Sequence, residues 1–176
     1  MTSFSVGVKG RYYDSKNYVL IQFSISLFNC IRYKLFVIIR MLLPSEIESR
    51  SIIPAIRAIL AWKLINEYGS KEKDVARALG ITQAAVSNYV RCVRGDRRII
   101  VRFASIQDIM HMIDDIAANL ARSKVCTPYA MSKFIEICDF IRSSLIICEV
   151  HHCIESNINE KICEECEVSL LNEHSI

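Results

Sequence analysis

The sequence predicts an all-α protein: an N-terminal helix-turn-helix bundle followed by a small helical module with a cysteine-rich end. Three observations carry this expectation. Apolar residues recur at spacings of three and four through most of the chain beyond Pro54. Residues 73–91 combine two short amphipathic stretches around Gly80 with the spacing of a helix-turn-helix. Helix starts and stops are marked by Pro54, Gly69, Gly80, Thr82, Gly95 and the pair Thr127–Pro128.

Charge divides the chain in the same way. Residues 1–40 carry 6 Lys/Arg against 1 Asp/Glu, residues 41–103 carry 11 against 6, and residues 104–176 carry 5 against 12. A basic block around the helix-turn-helix, followed by an acidic end, fits a DNA-binding module joined to one that does not bind DNA. The expected organisation is an extension at 1–40, a DNA-binding domain at 41–103, a helical and candidate dimerisation module at 104–147, and a Cys/His-rich acidic tail at 148–176.

The first forty residues fit least well. Residues 19–43 are rich in Ile, Leu, Val and Phe but are interrupted by Arg32, Lys34 and Arg40, and the longest uncharged stretch, 17–31, is shorter than a spanning helix needs. No small-x-small cleavage site follows the apolar run, so a secretory signal is not expected. Ile21, Phe23, Ile25 and Leu27 alternate with Gln22, Ser24 and Ser26, the pattern of a half-buried strand. Met41 is therefore the expected functional start and 1–40 an upstream extension; a membrane anchor is the alternative.

From Met41 the elements are orderly. Pro54 opens a helix to about Tyr68, with Ile56, Ile59, Leu60, Trp62, Leu64 and Ile65 as its apolar face and Gly69 as its end. Ser70 is the expected cap of the next helix, with Glu72 and Asp74 near its positive end. Ala76 is small enough for a close helix crossing, Gly80 supplies a left-handed stop, and Val86 returns an apolar side chain to the core. Thr82 is the expected N-cap of a recognition helix running from about Gln83 to Val93, closed by Gly95.

That helix leaves Gln83, Ser87, Asn88 and Arg91 on its outer face. Gln83 and Asn88 are the candidate base readers, since Gln and Asn match adenine with paired donor and acceptor contacts; Ser87, Arg91 and Arg94 are candidate phosphate contacts. Arg91, Arg94, Arg97, Arg98 and Arg102 place five guanidinium groups within twelve residues, opposed only by Asp96. Lying past the helix end that enters the groove, they suit phosphates better than bases.

The second module has Ile106, Ile109, Met110, Ile113, Ile116, Ala117 and Leu120 on one helical face. Thr127–Pro128 then starts a helix with Met131, Phe134, Ile135, Cys138, Ile141 and Leu145 on one side. Such stripes are usually core, but helix-turn-helix proteins commonly bind paired half-sites, so part of this surface is expected to join two subunits. His111 stands alone on its helix and reads as an ordinary histidine.

Eight cysteines without a secretory signal point first to metal or redox chemistry. Cys148 and His151 are followed, after eleven residues, by Cys163 and Cys166. Two close ligand pairs separated by a loop can converge on one tetrahedral ion, and mixed sulfur and nitrogen suits zinc. His152, Cys153 and Cys138 are spare donors nearby, and with Cys138 or Cys153 in place of the histidine an iron–sulfur cluster becomes an option. A thiol or disulfide pair, or no site at all, are the competing readings, and Cys30, Cys92 and Cys126 read as small buried apolar residues.

Residues 41–47, 53–61 and 80–89, together with 137–142, 148–151 and 163–166, resemble a family of archaeal predicted transcriptional regulators with a Cro/repressor-type helix-turn-helix. The resemblance covers most of residues 41–176. It implies a chain start near Met41, binding to double-stranded DNA, and a DNA-reading role for Thr82, Gln83, Ser87, Asn88 and Arg91. Some relatives carry a further ligand-binding domain related to thiamine phosphate synthesis, for which this chain is too short.

The expected function is thus a dimeric, cytoplasmic, sequence-specific DNA-binding regulator with no membrane partner. The alternative is a DNA-associated adaptor or antitoxin-like protein that docks a partner through the cysteine-rich tail. An enzyme is not expected, because no nucleophile or acid–base arrangement accompanies the Cys/His residues.

Overall fold

Pro44 sits at the first helical position of α1 (Pro44–Ile47), where a missing N–H costs nothing, and the Glu46 carboxylate accepts from the Leu43 N–H at 3.2 Å. The backbone then widens into a π-helical turn, Glu48–Ile52, and continues as α2 (Ile53–Asn66). Proline inside a continuous helix lacks a donor and crowds the carbonyl four residues back. The wide turn just before Pro54, closed by the Ile53 N–H on the Glu48 carbonyl, accommodates that ring.

The computed structural model describes residues 42–91, 93–155 and 158–173, all within one compact unit spanning Ile39–Ile176. The alternating pattern at 21–27, the expected start at Met41, Cys30 and Cys92 lie outside the described residues. Every regular element among the described residues is helical, as the fold class expected. After α2 come α3 (Glu72–Leu79), α4 (Gln83–Val90), α5 (Arg97–Ala104), α6 (Gln107–Ser123), α7 (Pro128–Ser143), α8 (Ile146–Ile154) and α9 (Glu160–Glu173).

The core is built on α2, which packs against α3, α4, α5 and α6, while α6 and α7 form a long antiparallel pair. Ile56, Leu60, Leu64, Val86, Ile99, Phe103, Ile109, Ile113 and Ile137 are fully enclosed. Burying a side chain of this size contributes about 1.5–3 kcal/mol each before conformational entropy is counted. One apolar cluster runs from Ile47 to Leu170, so it crosses residues 103/104 and 147/148 without a gap. Lys63 is buried among these helices and bridges α2 to α6 through Asp114 at 2.6 Å, with Glu67 at 3.2 Å. Burial alone would lower its pKa, but the hydrogen bonds to Asp114 and Glu67 hold it above the ordinary lysine value.

Several sequence expectations shift by a few residues. Trp62 was expected on the buried face of α2 but is 48% exposed. Leu60 and Leu64 define the core side, and residue 62 lies about half a turn from both. Lys71, not Ser70, is the N-cap of α3, and it makes no side-chain cap bond. The helix expected from Gln83 to Val93, α4, ends at Val90, where the Asn88 carbonyl takes the N–H groups of both Val93 and Arg94. The arginine-rich segment after Gly95, for which no helix was expected, is α5, started by the Asp96 carboxylate on the Arg98 N–H at 2.9 Å.

On α7 the buried stripe is Ala130, Ile137, Cys138 and Ile141; Met131 and Ile135, expected within it, are 52% and 54% exposed. Leu145 does not extend α7 but turns the chain into α8 at φ +58°. The expected stripe on α6 is borne out, with Ile109, Ile113, Ile116, Ala117 and Leu120 buried and Ile106 and Met110 partly so.

Candidate nucleic-acid interface

The α3–α4 pair is set by its turn. Gly80 adopts φ +63°, and the Ile81 N–H reaches back to the Ala76 carbonyl at 3.0 Å, closing α3 in a Schellman-type end. Two residues later the Thr82 hydroxyl accepts from the Ala85 N–H at 3.2 Å and starts α4. Ala76, Val75, Ala85 and Val86 are buried at the crossing, with Tyr89 closing the far end. The small residues allow the two backbones to approach, and the direction of α4 follows from that contact.

The outer face of α4 carries Gln83, Ala84, Ser87, Asn88 and, at the helix end, Arg91. All are exposed except the half-buried Ser87. The face is uncharged apart from Arg91, whose guanidinium donates to the Ser87 hydroxyl. The Gln83 amide donates to the Glu72 carboxylate of α3 at 3.4 Å. Two members of this surface were not singled out by sequence. Glu72 had been read only as a helix-dipole partner, because its link to Gln83 is eleven residues long. Ala84 is polar in neither spacing nor chemistry, yet its exposed methyl belongs to the same face and suits contact with a thymine methyl.

The arginines divide. Arg94, exposed, lies 5.7 Å over the Tyr89 ring in a cation–π contact. Arg97 and Arg98 stand in the first turn of α5, both exposed. Arg98 pairs with Asp96 at 2.7 Å, and that hydrogen bond holds the Asp96 carboxyl below its ordinary pKa. Arg97 makes no hydrogen bond or ion pair among the described residues. Arg102 is the one that reaches a distant helix: at the surface it donates twice to Glu149 of α8, at 2.7 and 3.1 Å, and holds the Glu149 carboxyl low as well. Gly95 is required by its backbone angle, φ +94°, which a side chain rarely adopts; an added Cβ would also press on Ile100 Cδ1 at 3.2 Å.

In the tail, the residues expected as ligands separate into two groups. Cys148, buried on α8, interacts with the Cys163 thiol of α9, and Cys166 lies within electrostatic range of both. His151 turns away and meets Glu155 at 3.1 Å. Its neighbour His152 instead lies 3.5 Å from Cys163 Sγ through Nε2. Burial and the neighbouring thiols push Cys148 up to about 12, and burial raises Cys163 and Cys166 too. Cys138 faces Glu48 and Arg142 rather than this group, and burial raises it to about 11; Cys153 is exposed. Among the described residues, no three His, Cys, Asp or Glu side chains already converge on a point suited to a metal ion.

Among the described residues no helix is long and apolar enough to cross a membrane. No family model, no curated protein and no solved structure matches the chain.

Proposed function

We propose that the chain is a sequence-specific regulator of transcription that binds double-stranded DNA as a dimer. The observation that carries the reading is the outer face of α4. A short helix, started by the Thr82 cap and held against α3 by small buried residues, presents Gln83, Ala84, Ser87 and Asn88 in a row with Arg91 behind them. Amide, hydroxyl and methyl groups in such a row are the chemistry that reads base edges in the major groove. The surrounding cations favour the same surface: Arg91 and Arg94 follow the helix, and Arg97 and Arg98 open α5 next in the chain. In this arrangement Gln83 leaves Glu72 to pair with a base, and the guanidinium groups hold phosphates.

Selection of bound fragments from random-sequence DNA, at two salt concentrations, tests the reading. A shared short motif that survives the higher salt is expected. Gln83→Ala should then relax preference at one base position, at a cost of about 1–3 kcal/mol on the best site. Fragments without a motif, lost steeply with salt, would reduce the interaction to phosphate attraction. DNA binding that requires an added protein would instead favour an adaptor.

A further inference from the structure

We infer that Cys148, His152, Cys163 and Cys166 form a site for a zinc-class divalent cation, with His152 and not His151 as its nitrogen ligand. The inference stands apart from the DNA reading. Cys148 and His152 are four residues apart on α8, and Cys163 and Cys166 three apart on α9, so each helix carries its two donors on one face. Zinc–sulfur and zinc–nitrogen bonds of about 2.3 and 2.0–2.1 Å at a tetrahedral angle put the two donor atoms about 3.6 Å apart. Cys163 Sγ and His152 Nε2 lie 3.5 Å apart, which is one edge of that tetrahedron. Cys148 lies one helical turn before His152 on α8, and Cys166 one turn after Cys163 on α9. No three of these donors already converge, so Cys148 and Cys166 must turn toward the Cys163–His152 edge for the ion to be held.

The spacing of the sequence favours His151, one residue earlier, but that imidazole is engaged by Glu155. The surroundings also favour a cation. The Glu167 carboxylate, 3.8 Å from Cys163 Sγ, adds negative charge beside the three thiols. A divalent ion reverses that balance: each cysteine that binds it releases its proton, and the thiolate charges are neutralised on the metal.

The test is a cobalt(II) titration of the full chain, reduced and stripped of metal, followed by displacement with zinc. Saturation at one equivalent is expected, with near-ultraviolet thiolate charge-transfer absorption and the intense visible bands of tetrahedral cobalt. Proton release should accompany binding. His152→Gln, at an exposed position, should weaken cobalt by more than the about 10–100-fold that loss of an outer-shell partner costs, while His151→Gln leaves the titration unchanged. Cys163→Ser should remove charge-transfer intensity; if that variant fails to fold, the histidine pair still decides. Weak octahedral bands, loss on His151→Gln instead of His152→Gln, or a Cys148–Cys163 disulfide in place of metal binding would each overturn the assignment.

Discussion

Two adjacent residues at the start of α4 have separable roles. The Thr82 hydroxyl satisfies the Ala85 N–H, one of the donors that a helix start leaves without a partner, whereas the Gln83 amide touches only Glu72 at the surface. Thr82→Ala should therefore lower stability by about 1 kcal/mol, read as an earlier urea midpoint. Gln83→Ala should leave that midpoint where it is while altering base preference. Equal midpoint losses in both variants would mean that Gln83 is part of the frame of α4 rather than of its reading face. Cys138 offers a second test at this scale. Burial and the nearby Glu48 raise its folded-state pKa from 9.0 to about 11, so the folded chain holds this proton after the unfolded chain has lost it. Stability should fall as pH rises between about 9 and about 11, and Cys138→Ala should fall less steeply in parallel urea titrations. Superimposable slopes would remove Cys138 from the account.

At the scale of elements, α5 is the informative case. Arg97 and Arg98 begin a helix capped by Asp96 and anchored by the buried Ile99 and Phe103, so their guanidinium groups are carried on a fixed backbone. In the proposed regulator, Arg97, with no internal partner among the described residues, is the guanidinium left for a phosphate. Arg97→Ala should weaken binding nearly uniformly across DNA sequences and reduce the salt slope by about 1; a change of preferred sequence with an unchanged slope would contradict that role. The helix itself was hidden in the sequence because four arginines in nine residues mask the spacing of Ile99 and Phe103. What was legible had short-range causes: the left-handed Gly80, the Thr82 cap and the stripe on α6 each depend on neighbours within a few residues. Trp62, Met131 and Ile135 were misplaced because several apolar faces were available, and packing against other helices selects which one is buried. His151 and His152 both follow Cys148 at helical spacing, and the sequence does not show that Glu155 engages the first while Cys163 lies beside the second.

Across the whole molecule, contacts between distant segments hold the basic and acidic parts together. Arg102 to Glu149 ties α5 to α8, Arg142 to Glu48 ties α7 to the π-helical turn, and the apolar cluster continues beneath both. With so much of the periodic apolar surface buried internally, one outer face of α7 keeps two large apolar side chains one turn apart: Met131 and Ile135 are 52% and 54% exposed. A two-fold dimer uses one patch against its own copy, and paired half-sites one helical turn apart need two α4 helices held about 34–36 Å from each other. This face of α7 is the surface best suited to that role in the proposed regulator. Ile135→Glu changes no enclosed contact, so helix content and thermal unfolding of the subunit should be preserved. Sedimentation should show a monomer in place of a dimer, and affinity should drop on a two-half-site operator while binding to a single half-site is unchanged. A variant that stays dimeric, or that weakens both DNAs equally, would move the subunit interface away from α7.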